Sequence, residues 1–320
     1  MPEKSSSHLN QVYSSLHMRR RYEVWFLRLG LVDRPEAWWF RYLLMSPGRD
    51  GCPELAVAPV QIWATRFPLD GKPKSFIQGY SRNELALSPR GSSPFEFRVG
   101  KNYIGSDACH GDLRVDGSEI QWDLRYHSRF CATLSNKGWI GFSKTPHSDA
   151  LFSGEIRFDG KSYRGEPLGT GVQGHNCGVR HRDFWTWMHA YFIDASGHVS
   201  TLETLTYEMP LGLTFRKGVL WHAGQTRTFS RLRESRRDSA ELAWEFSARA
   251  NDGSLIEARI DAPSASTHRL PYFRTNCSGS FEVANNSLAN AWVRLRLNGR
   301  EPVELQTNGG AVLEMAGVPR

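Results

Sequence analysis

The sequence lacks long apolar runs: no stretch approaches the ~18 to 20 consecutive apolar residues that a membrane-spanning helix needs. Its amino-terminal residues also lack the apolar core of a secretory signal. The sequence therefore predicts a cytoplasmic protein without a transmembrane segment. Cysteine is scarce as well, with five residues among 320 and no C-x-x-C spacing. This pattern argues against a disulfide framework and a zinc ribbon, and it predicts reduced thiols.

Several catalytic and cofactor signatures are absent from the sequence. There is no P-loop, no dinucleotide-type glycine fingerprint that opens a helix, no G-x-S-x-G and no H-E-x-x-H. We therefore expect no nucleotide cofactor. The net charge of +7 is modest, and the two basic clusters, at 19–21 and 227–237, accompany no known nucleic-acid-binding motif. A nucleic-acid partner is not expected.

Aromatic residues and turn formers, by contrast, are abundant. Phe, Trp and Tyr make up 12% of the chain, and 29 glycines and 16 prolines separate short apolar runs. Residues 118–126 alternate most cleanly, with Trp122 on the apolar face, and Asp159-Gly160 is a strong hairpin signal. Because sustained helical periodicity is almost missing, the sequence predicts an all-β fold of antiparallel hairpins, as a sandwich or a barrel.

The length of 320 residues suits two domains. Residues 1–20 are polar and rich in serine, which predicts a flexible amino-terminal arm or a short helix. Residues 146–153 have the composition of a linker. The sequence therefore predicts an amino-terminal β domain over 21–150 and a carboxy-terminal β domain of similar size over 151–320.

One segment, residues 169–178, combines four glycines with His175 and Asn176. Glycine at this density predicts a tight, irregular backbone that presents polar side chains at the mouth or floor of a pocket. The strand that follows has four side chains on one face: Trp185, Trp187, His189 and Tyr191. The next strand brings Glu203 beside His189.

This aromatic face predicts a wall for an apolar or polyene ligand, and its π-faces would stabilise a carbocation by about 0.5–2 kcal/mol each. Glu203, as a buried carboxyl with a raised pKa, is the candidate acid. Arg41, between aromatic neighbours in an earlier strand, would pair with a ligand carboxylate or with an internal acid such as Asp123. Plain core packing of Trp185 and Trp187 is the structural alternative.

Two other chemistries compete for the same segment. His175, Cys177, His181 and His189 offer three imidazoles and a thiol, but the spacing H-x-C-x3-H-x7-H matches no zinc pattern, so no metal is predicted. Cys177 could act as a nucleophile with His175 or His181 as its base, although neighbours in an irregular loop need a special geometry for this.

The run Q-G-H-N-C-G at 173–178, followed by W-x-W-x-H at 185–189, resembles a family motif. It is similar to the central motif of the superfamily of carotenoid 1,2-hydratases (hydroxyneurosporene synthases), tocopherol-cyclase-like proteins and fungal lipocalin-like Diels–Alderases. The similar segments follow one another in the same order as in the family over about residues 21–210. Further elements that carry it are Tyr22-Glu-Val-Trp25, Trp39-Phe-Arg41-Tyr42, the hairpin at 154–160 and Leu202-Glu203.

The resemblance implies two tandem lipocalin-like (calycin-like) antiparallel β-barrels with a ligand pocket near their junction and no redox or nucleotide cofactor. It places His175 and Asn176 at the polar positions of the motif and Trp185 and Trp187 at its aromatic ones. The sequence departs from the motif at Cys177, where the family usually has Trp, and at Gly174, where the hydratases tend to have Asp. Loss of that Asp removes a proton donor, which favours cyclisation, isomerisation or binding over hydration.

Two functional hypotheses follow. The first is a cofactor-independent cyclase, hydratase or isomerase that acts on an apolar isoprenoid or polyene, with His175, His189 and Glu203 as catalytic residues. The second is a non-catalytic carrier of a hydrophobic small molecule. Both leave a transient membrane contact open and predict no oligomeric state. Both use the same substrate-binding residues: Trp39, Arg41, Trp122, Asn176, Trp185, Trp187 and Tyr191.

Overall fold

The computed structural model describes residues 6–14, 21–46, 57–137, 140–179, 181–209, 211, 213–297 and 301–317. Strands dominate these residues, and the helical segments are short 3₁₀ turns at Ser6–Leu9, Arg82–Glu84 and Ser264–Ser266. Strands are expected from the alternating apolar pattern and from the wealth of aromatic and β-branched residues. None of the described helices is long and apolar enough to span a membrane.

Twelve of the described strands form a first antiparallel sheet. They are β1 (Arg21–Leu31), β2 (Glu36–Ser46), β3 (Val60–Pro68), β4 (Lys74–Tyr80), β5 (Leu85–Leu87), β6 (Glu96–Val99), β7 (Asn102–Gly105), β8 (Ala108–Val115), β9 (Ser118–His127), β10 (Ala132–Asn136), β11 (Gly141–Phe158) and β12 (Lys161–Gly178). The order across the sheet is β4-β3-β2-β1-β12-β11-β9-β8-β7-β6-β5, and β10 pairs with β11.

Ten further strands in the described ranges form a second antiparallel sheet. They are β13 (Trp185–Ile193), β14 (Val199–Glu208), β15 (Thr214–His222), β16 (Gln225–Phe229), β17 (Leu232–Asp238), β18 (Ala243–Arg249), β19 (Leu255–Asp261), β20 (His268–Phe273), β21 (Ser280–Arg296) and β22 (Val303–Ala316). The order is β16-β15-β14-β13-β22-β21-β19-β18-β17, and β20 pairs with β21.

Each sheet encloses one hydrophobic core with one of its faces. Strands across the whole width of the first sheet contribute side chains to the first core, among them Trp25, Phe40, Phe97, Trp122 and Phe152. The second core draws in the same way on β13, β15, β18, β21 and β22. A sheet whose strands all contribute to a single core must curl around it. The predicted all-β fold with two tandem lipocalin-like antiparallel barrels is confirmed.

Local strand and turn signals correspond closely to the observed elements. The alternation at 118–126 is β9, with Ile120, Trp122 and Leu124 buried. The Asp159-Gly160 hairpin joins β11 to β12, and both turn residues have positive φ, 44° and 80°, as a type I′ turn requires.

The glycine-rich segment 169–178 is regular strand, so the prediction of an irregular backbone there is wrong. It forms the second half of β12 and pairs in unbroken register with β1. Its glycines permit close approach to β1. A Cβ on Gly171 would lie 1.9 Å from the carbonyl oxygen of Arg28, and one on Gly174 would lie 2.1 Å from the ring of Phe26. Glycine serves packing at these positions rather than turning.

The predicted linker at 146–153 lies inside β11, an 18-residue strand of the first sheet. Strands of the first sheet continue to Gly178, and those of the second sheet begin at Trp185. The linker was predicted from its polar composition, but these residues are mostly buried. The division of the chain into two domains at 150 stays a prediction.

Residues 6–14 pack against the first barrel, where the sequence predicted a flexible arm or a short helix, and Ser6–Leu9 is a short 3₁₀ helix. Leu9 and Val12 are buried. Asn10 and Gln173 exchange two side-chain hydrogen bonds, at 3.1 and 3.0 Å. The remainder of the predicted arm lies outside the described residues.

Cys277 is disulfide-bonded, so the prediction of reduced thiols is wrong for this residue. Cys109 and Cys177 are free and buried. Sequence spacing did not reveal the bond because disulfide partners are brought together by the fold rather than by a short motif. A disulfide is more typical of an oxidising compartment than of the cytosol, and the cytoplasmic location stays a prediction.

Candidate functional site

The outer faces of the two barrels meet at a junction. On β1, Trp25 points into the first core, and the next residue, Phe26, points outward. On β13, Met188 belongs to the second core and Trp187 points outward. The rings of Phe26 and Trp187 are in T-shaped contact with centroids 5.3 Å apart. The junction is therefore built from the positions that alternate with the core positions along each strand.

Arg28 of β1 links the two barrels. Its guanidinium donates to the carbonyl of Ser287 through Nε at 3.0 Å and Nη2 at 2.7 Å, and to the carbonyl of Gly309 at 2.5 Å. Both acceptors belong to the second sheet. Burial lowers the pKa of Arg28 to about 10, so the guanidinium is still charged at neutral pH.

A pocket of about 150 Å³ lies between these outer faces, and we refer to it as the junction pocket. This volume is close to that of a cavity that accepts one benzene ring. Both barrels contribute aromatic walls: Phe26 and Trp39 from the first, and Trp185, Trp187 and Tyr272 from the second. The junction pocket therefore offers an apolar space of about the size of a ring.

Glu314 of β22 is the carboxyl residue among the described residues of the pocket wall. Trp185 Nε1 donates to Oε1 at 2.9 Å, while the Tyr272 hydroxyl and Asn285 Nδ2 donate to Oε2, each at 3.2 Å. Burial raises the pKa of Glu314, and the charge of Arg41 opposes this rise. Because a carboxyl has about four acceptor positions, three donors leave one that can carry a proton.

Arg41 of β2 lines the pocket and packs against two aromatic rings, Trp63 behind the wall and Tyr272 in it. Its guanidinium carbon is 4.6 Å from the ring centroid of Trp63 and 4.4 Å from that of Tyr272. The side chain is buried. Its Nη1 atom has no hydrogen-bond partner among the described residues. A buried cation thus faces the pocket with an unused donor.

His181 is a neutral imidazole in the same wall. It stacks on Tyr22 with centroids 4.0 Å apart, and its Nδ1 donates to the carbonyl of Phe273 at 3.2 Å. Burial, and to a smaller extent the charge of Arg41, lowers the pKa of His181 to about 3. Its Nε2 is therefore an acceptor at neutral pH.

Two further polar atoms of the wall are buried without a partner in the described ranges: the Asn176 Oδ1 acceptor and the Trp39 Nε1 donor. Buried polar groups are nearly always hydrogen-bonded, so unpartnered ones that line a cavity indicate that a ligand or water satisfies them.

Five of the seven predicted binding residues line the junction pocket: Trp39, Arg41, Asn176, Trp185 and Trp187. The other two do not. Trp122 belongs to the first core, where its Nε1 donates to the Tyr42 hydroxyl at 2.9 Å. Tyr191 shares the junction face of β13 but lies outside the pocket lining. Asp123 is exposed on β9, so the predicted internal pairing with Arg41 is not formed.

His175 is fully buried outside the pocket lining. Its Nδ1 donates to the Leu9 carbonyl at 2.7 Å, and its Nε2 lies 2.8 Å from Glu23 Oε1. Glu23 also accepts hydrogen bonds from the backbone amides of Tyr13 and Ser14, at 2.8 and 2.6 Å. This His175–Glu23 pair holds residues 9–14 against β1 and β12. Its contacts favour a structural role, and a catalytic role for His175 stays a prediction.

Glu203 and His189 form a second buried polar group beside the pocket. Trp187 Nε1 donates to Glu203 Oε1 at 2.9 Å, and the Thr145 hydroxyl lies 2.7 and 2.8 Å from the two carboxyl oxygens. Burial raises the pKa of Glu203 to about 7. His189 Nε2 donates to the carbonyl of Ser148 at 2.7 Å, and burial lowers its pKa to about 3. Neither side chain lines the junction pocket.

Several residues of the pocket wall were not predicted from the sequence, among them Glu314, Tyr272, Lys137, Arg182 and, as a pocket residue, His181. Glu314 had a usable signal, because it is a lone acidic residue within the apolar run 311–316. His181 was considered only as a metal ligand or as a base for Cys177.

The competing chemistries at residues 175–189 find little support in the geometry. Within the described ranges, no three His, Cys, Asp or Glu side chains come close enough to hold a metal ion. Burial raises the pKa of Cys177 to about 12, so its sulfur is a protonated thiol at neutral pH. Its polar neighbours are Ser14 Oγ at 3.7 Å and Arg21 Nη1 at 3.9 Å rather than a histidine.

No protein-family model and no curated protein sequence matches the chain. Solved structures do match it. The structure of CghA has a TM-score of 0.60 at 11% identity, over 93% of this chain and 88% of that one. Kievitone hydratase from Nectria haematococca has a TM-score of 0.56 at 11% identity, over 97% of this chain and 94% of that one. At such low identity the likeness shows a shared fold, which extends over nearly the whole chain.

Proposed function

We propose that the protein is a cofactor-independent hydratase, cyclase or isomerase that acts on an apolar isoprenoid or polyene in the junction pocket. The observation that carries this proposal is Glu314, a buried carboxyl with a raised pKa in the wall of an aromatic cavity. A structure of similar fold belongs to a protein named as a hydratase. The resemblance of residues 173–189 to the carotenoid hydratase superfamily supports the same class of reaction.

The reaction begins when the carboxyl of Glu314 transfers its proton to one carbon of a substrate double bond. The π electrons form the new C–H bond, and the neighbouring carbon becomes a cation. The indole faces of Trp185, Trp187 and Trp39 stabilise this cation, by about 0.5–2 kcal/mol for each well-placed ring. The donors to Glu314 from Trp185, Tyr272 and Asn285 then stabilise the carboxylate that is left.

The fate of the cation distinguishes the three reactions. Addition of water followed by loss of a proton gives a hydrated product. Attack by a second double bond forms a ring and a new cation, which then loses a proton. Loss of a different proton from the first cation gives an isomer. Glu314 recovers a proton in each case. Gly174 stands where the hydratases that the motif resembles tend to have Asp. The Phe26 ring fills the space of a side chain at this position, which supports an acid at another position, here Glu314.

The second candidate is a carrier that binds a hydrophobic small molecule without converting it. The unpartnered Asn176 Oδ1 and Trp39 Nε1 atoms favour ligand binding in either case. The molecule recovered after incubation with the protein distinguishes catalysis from binding, because a carrier returns its ligand unchanged.

The test begins with native mass spectrometry, denaturing extraction and identification of any co-purified molecule. This molecule is then incubated with the protein in D₂O; if the protein is purified empty, prenol, an isoprenoid alcohol of about the size of one ring, takes its place. We expect a hydrated, cyclised or isomerised product with deuterium on carbon, formed at least about 10²-fold more slowly by Glu314→Gln. The matched control is Glu304→Gln, at an exposed position of the same strand, which should keep the wild-type rate. Binding without conversion would instead support the carrier.

A further inference from the structure

We infer that Arg41 is an anion-binding residue and that the ligand of the junction pocket carries a carboxylate beside its apolar body. The inference rests on the proposed use of this pocket and deepens it by naming a substrate class. It starts from the Arg41 Nη1 atom, which is buried, lines the pocket and has no hydrogen-bond partner in the described part of the chain.

The surroundings of Arg41 fix the direction in which it can bind. The rings of Trp63 and Tyr272 pack against its guanidinium, with centroids 4.6 and 4.4 Å from the central carbon, and they stand nearly perpendicular to each other with centroids 5.6 Å apart. Hydrogen bonds of a guanidinium lie in its own plane. The two rings give Nη1 no hydrogen bond, so its N–H groups are left for a ligand, and a carboxylate oxygen matches them.

The charge of Arg41 has no ion-pair partner among the described side chains. The charge of Arg41 acts on the carboxyl of Glu314 by lowering its pKa, but the Glu314 oxygens accept their hydrogen bonds from Trp185, Tyr272 and Asn285. A buried charge without a counter-charge is costly. A ligand carboxylate would remove this cost, whereas a purely hydrocarbon ligand would increase it by displacing water.

The rest of the pocket wall also favours an anion. Lys137 and Arg182 line the pocket together with Arg41, against the single described carboxyl of Glu314. Three basic side chains and one acidic side chain give a positive potential, which attracts an anionic ligand. The carboxylate of that ligand would offset this potential and so lower its cost for the cation of the proposed reaction. Together with the size of the cavity, which suits one ring, this positive potential indicates that the ligand is an apolar or aromatic acid.

The test uses two probes of equal shape that each carry one ring, benzoate and its neutral amide, benzamide. Dissociation constants are measured by calorimetry at pH 7 and low salt. We expect wild-type protein to bind the carboxylate at least about tenfold more tightly than the amide, the range of one hydrogen bond to a charged group. In Arg41→Gln this ratio should fall to near one, while the affinity for the amide changes little.

Two variants control for folding and for general charge. Arg41→Lys keeps the charge but loses the paired donors, so its ratio should be intermediate. Arg98→Gln removes an exposed arginine that lies over the ring of Tyr103, 4.1 Å from its centroid and outside the pocket, and it should keep the wild-type ratio. Equal binding of the two probes by wild type, or a tenfold ratio retained in Arg41→Gln, overturns the inference.

A pocket-filling variant separates this inference from the proposed function. Leu205→Trp places a large ring at a lining position and should abolish binding of both probes. If both affinities survive that change, the probes bind elsewhere and the use of the junction pocket is refuted. If Leu205→Trp blocks both probes but wild type does not discriminate between them, the pocket stands and the carboxylate class is wrong. Failure of wild type to bind either probe counts against both proposals.

Discussion

The contacts of the His175–Glu23 pair lead to a prediction that tests whether the role of His175 is structural. Replacing His175 with alanine leaves the Leu9 carbonyl and one oxygen of Glu23 without their partner in a fully buried setting. It also removes an imidazole ring stacked 4.6 Å from Trp25 and in edge contact with Phe142 at 4.8 Å. We expect the amino-terminal residues 9–14 to lose their attachment to the first barrel.

The expected loss is large for a single substitution. Leaving a buried acceptor such as the Leu9 carbonyl unsatisfied costs about 1–3 kcal/mol, and the cavity left by the imidazole ring adds to this cost. We therefore expect the free energy of unfolding to fall by at least this amount in His175→Ala. Glu23→Gln should show a smaller loss, because glutamine fills the same space and its one oxygen still accepts a hydrogen bond from one of the two amides, Tyr13 or Ser14.

Urea unfolding followed by tryptophan fluorescence measures these changes, and the double variant closes a thermodynamic cycle. Contacting residues in one network couple by about 0.5–3 kcal/mol, so the two single losses should not add. The control is His198→Ala, whose exposed imidazole lies 3.4 Å from Asp194, and it should stay within about 0.5 kcal/mol of wild type. A His175→Ala protein as stable as this control would refute the structural role.

Two further predictions follow from buried groups near the junction. Burial raises the pKa of Glu203 to about 7, so folded protein binds a proton that unfolded protein releases near pH 4.5, and stability falls as pH rises between these values. Glu203→Gln should remove this loss of stability. Its free energy of unfolding, measured by urea titration, should be on the order of 3 kcal/mol above that of wild type at pH 8 and equal to it near pH 4.5. Parallel pH profiles of the two proteins would contradict this. Gly174→Ala should destabilise the protein by about 1–3 kcal/mol, because its Cβ would lie 2.1 Å from the Phe26 ring. Adding Phe26→Leu to this variant should recover part of the lost stability, as measured in thermal melts. If no stability is recovered, the Phe26 ring is not the cause of the loss.

Local features of the fold were predictable from the sequence because they depend on near neighbours. Alternation at 118–126 and the Asp159-Gly160 turn specify a strand and a hairpin whatever the rest of the chain does. The glycine-rich segment 169–178 was misread because glycine favours a turn in isolation. Its actual role depends on β1, to which it pairs from a great distance in sequence.

The candidate site was predictable in much of its aromatic part and in two polar residues, Arg41 and Asn176. Trp185 and Trp187 follow from period-two alternation, and Arg41 is conspicuous among aromatic neighbours. His175 and Glu203 were chosen for their chemistry, but burial and side-chain partners decide which groups reach a cavity. Glu314 enters the pocket because β22 pairs with β13, a fact that requires the order of the strands.

The alternation of core and pocket positions along the same strands has a consequence for how this protein can change. Trp25 and Phe26 are adjacent in sequence, yet one stabilises the barrel and the other shapes the pocket. New ligand preferences can therefore arise by substitution at every second residue of β1, β2 and β13 without altering what either barrel packs inside. The fold thereby separates the residues that selection must keep for stability from those it can vary for chemistry.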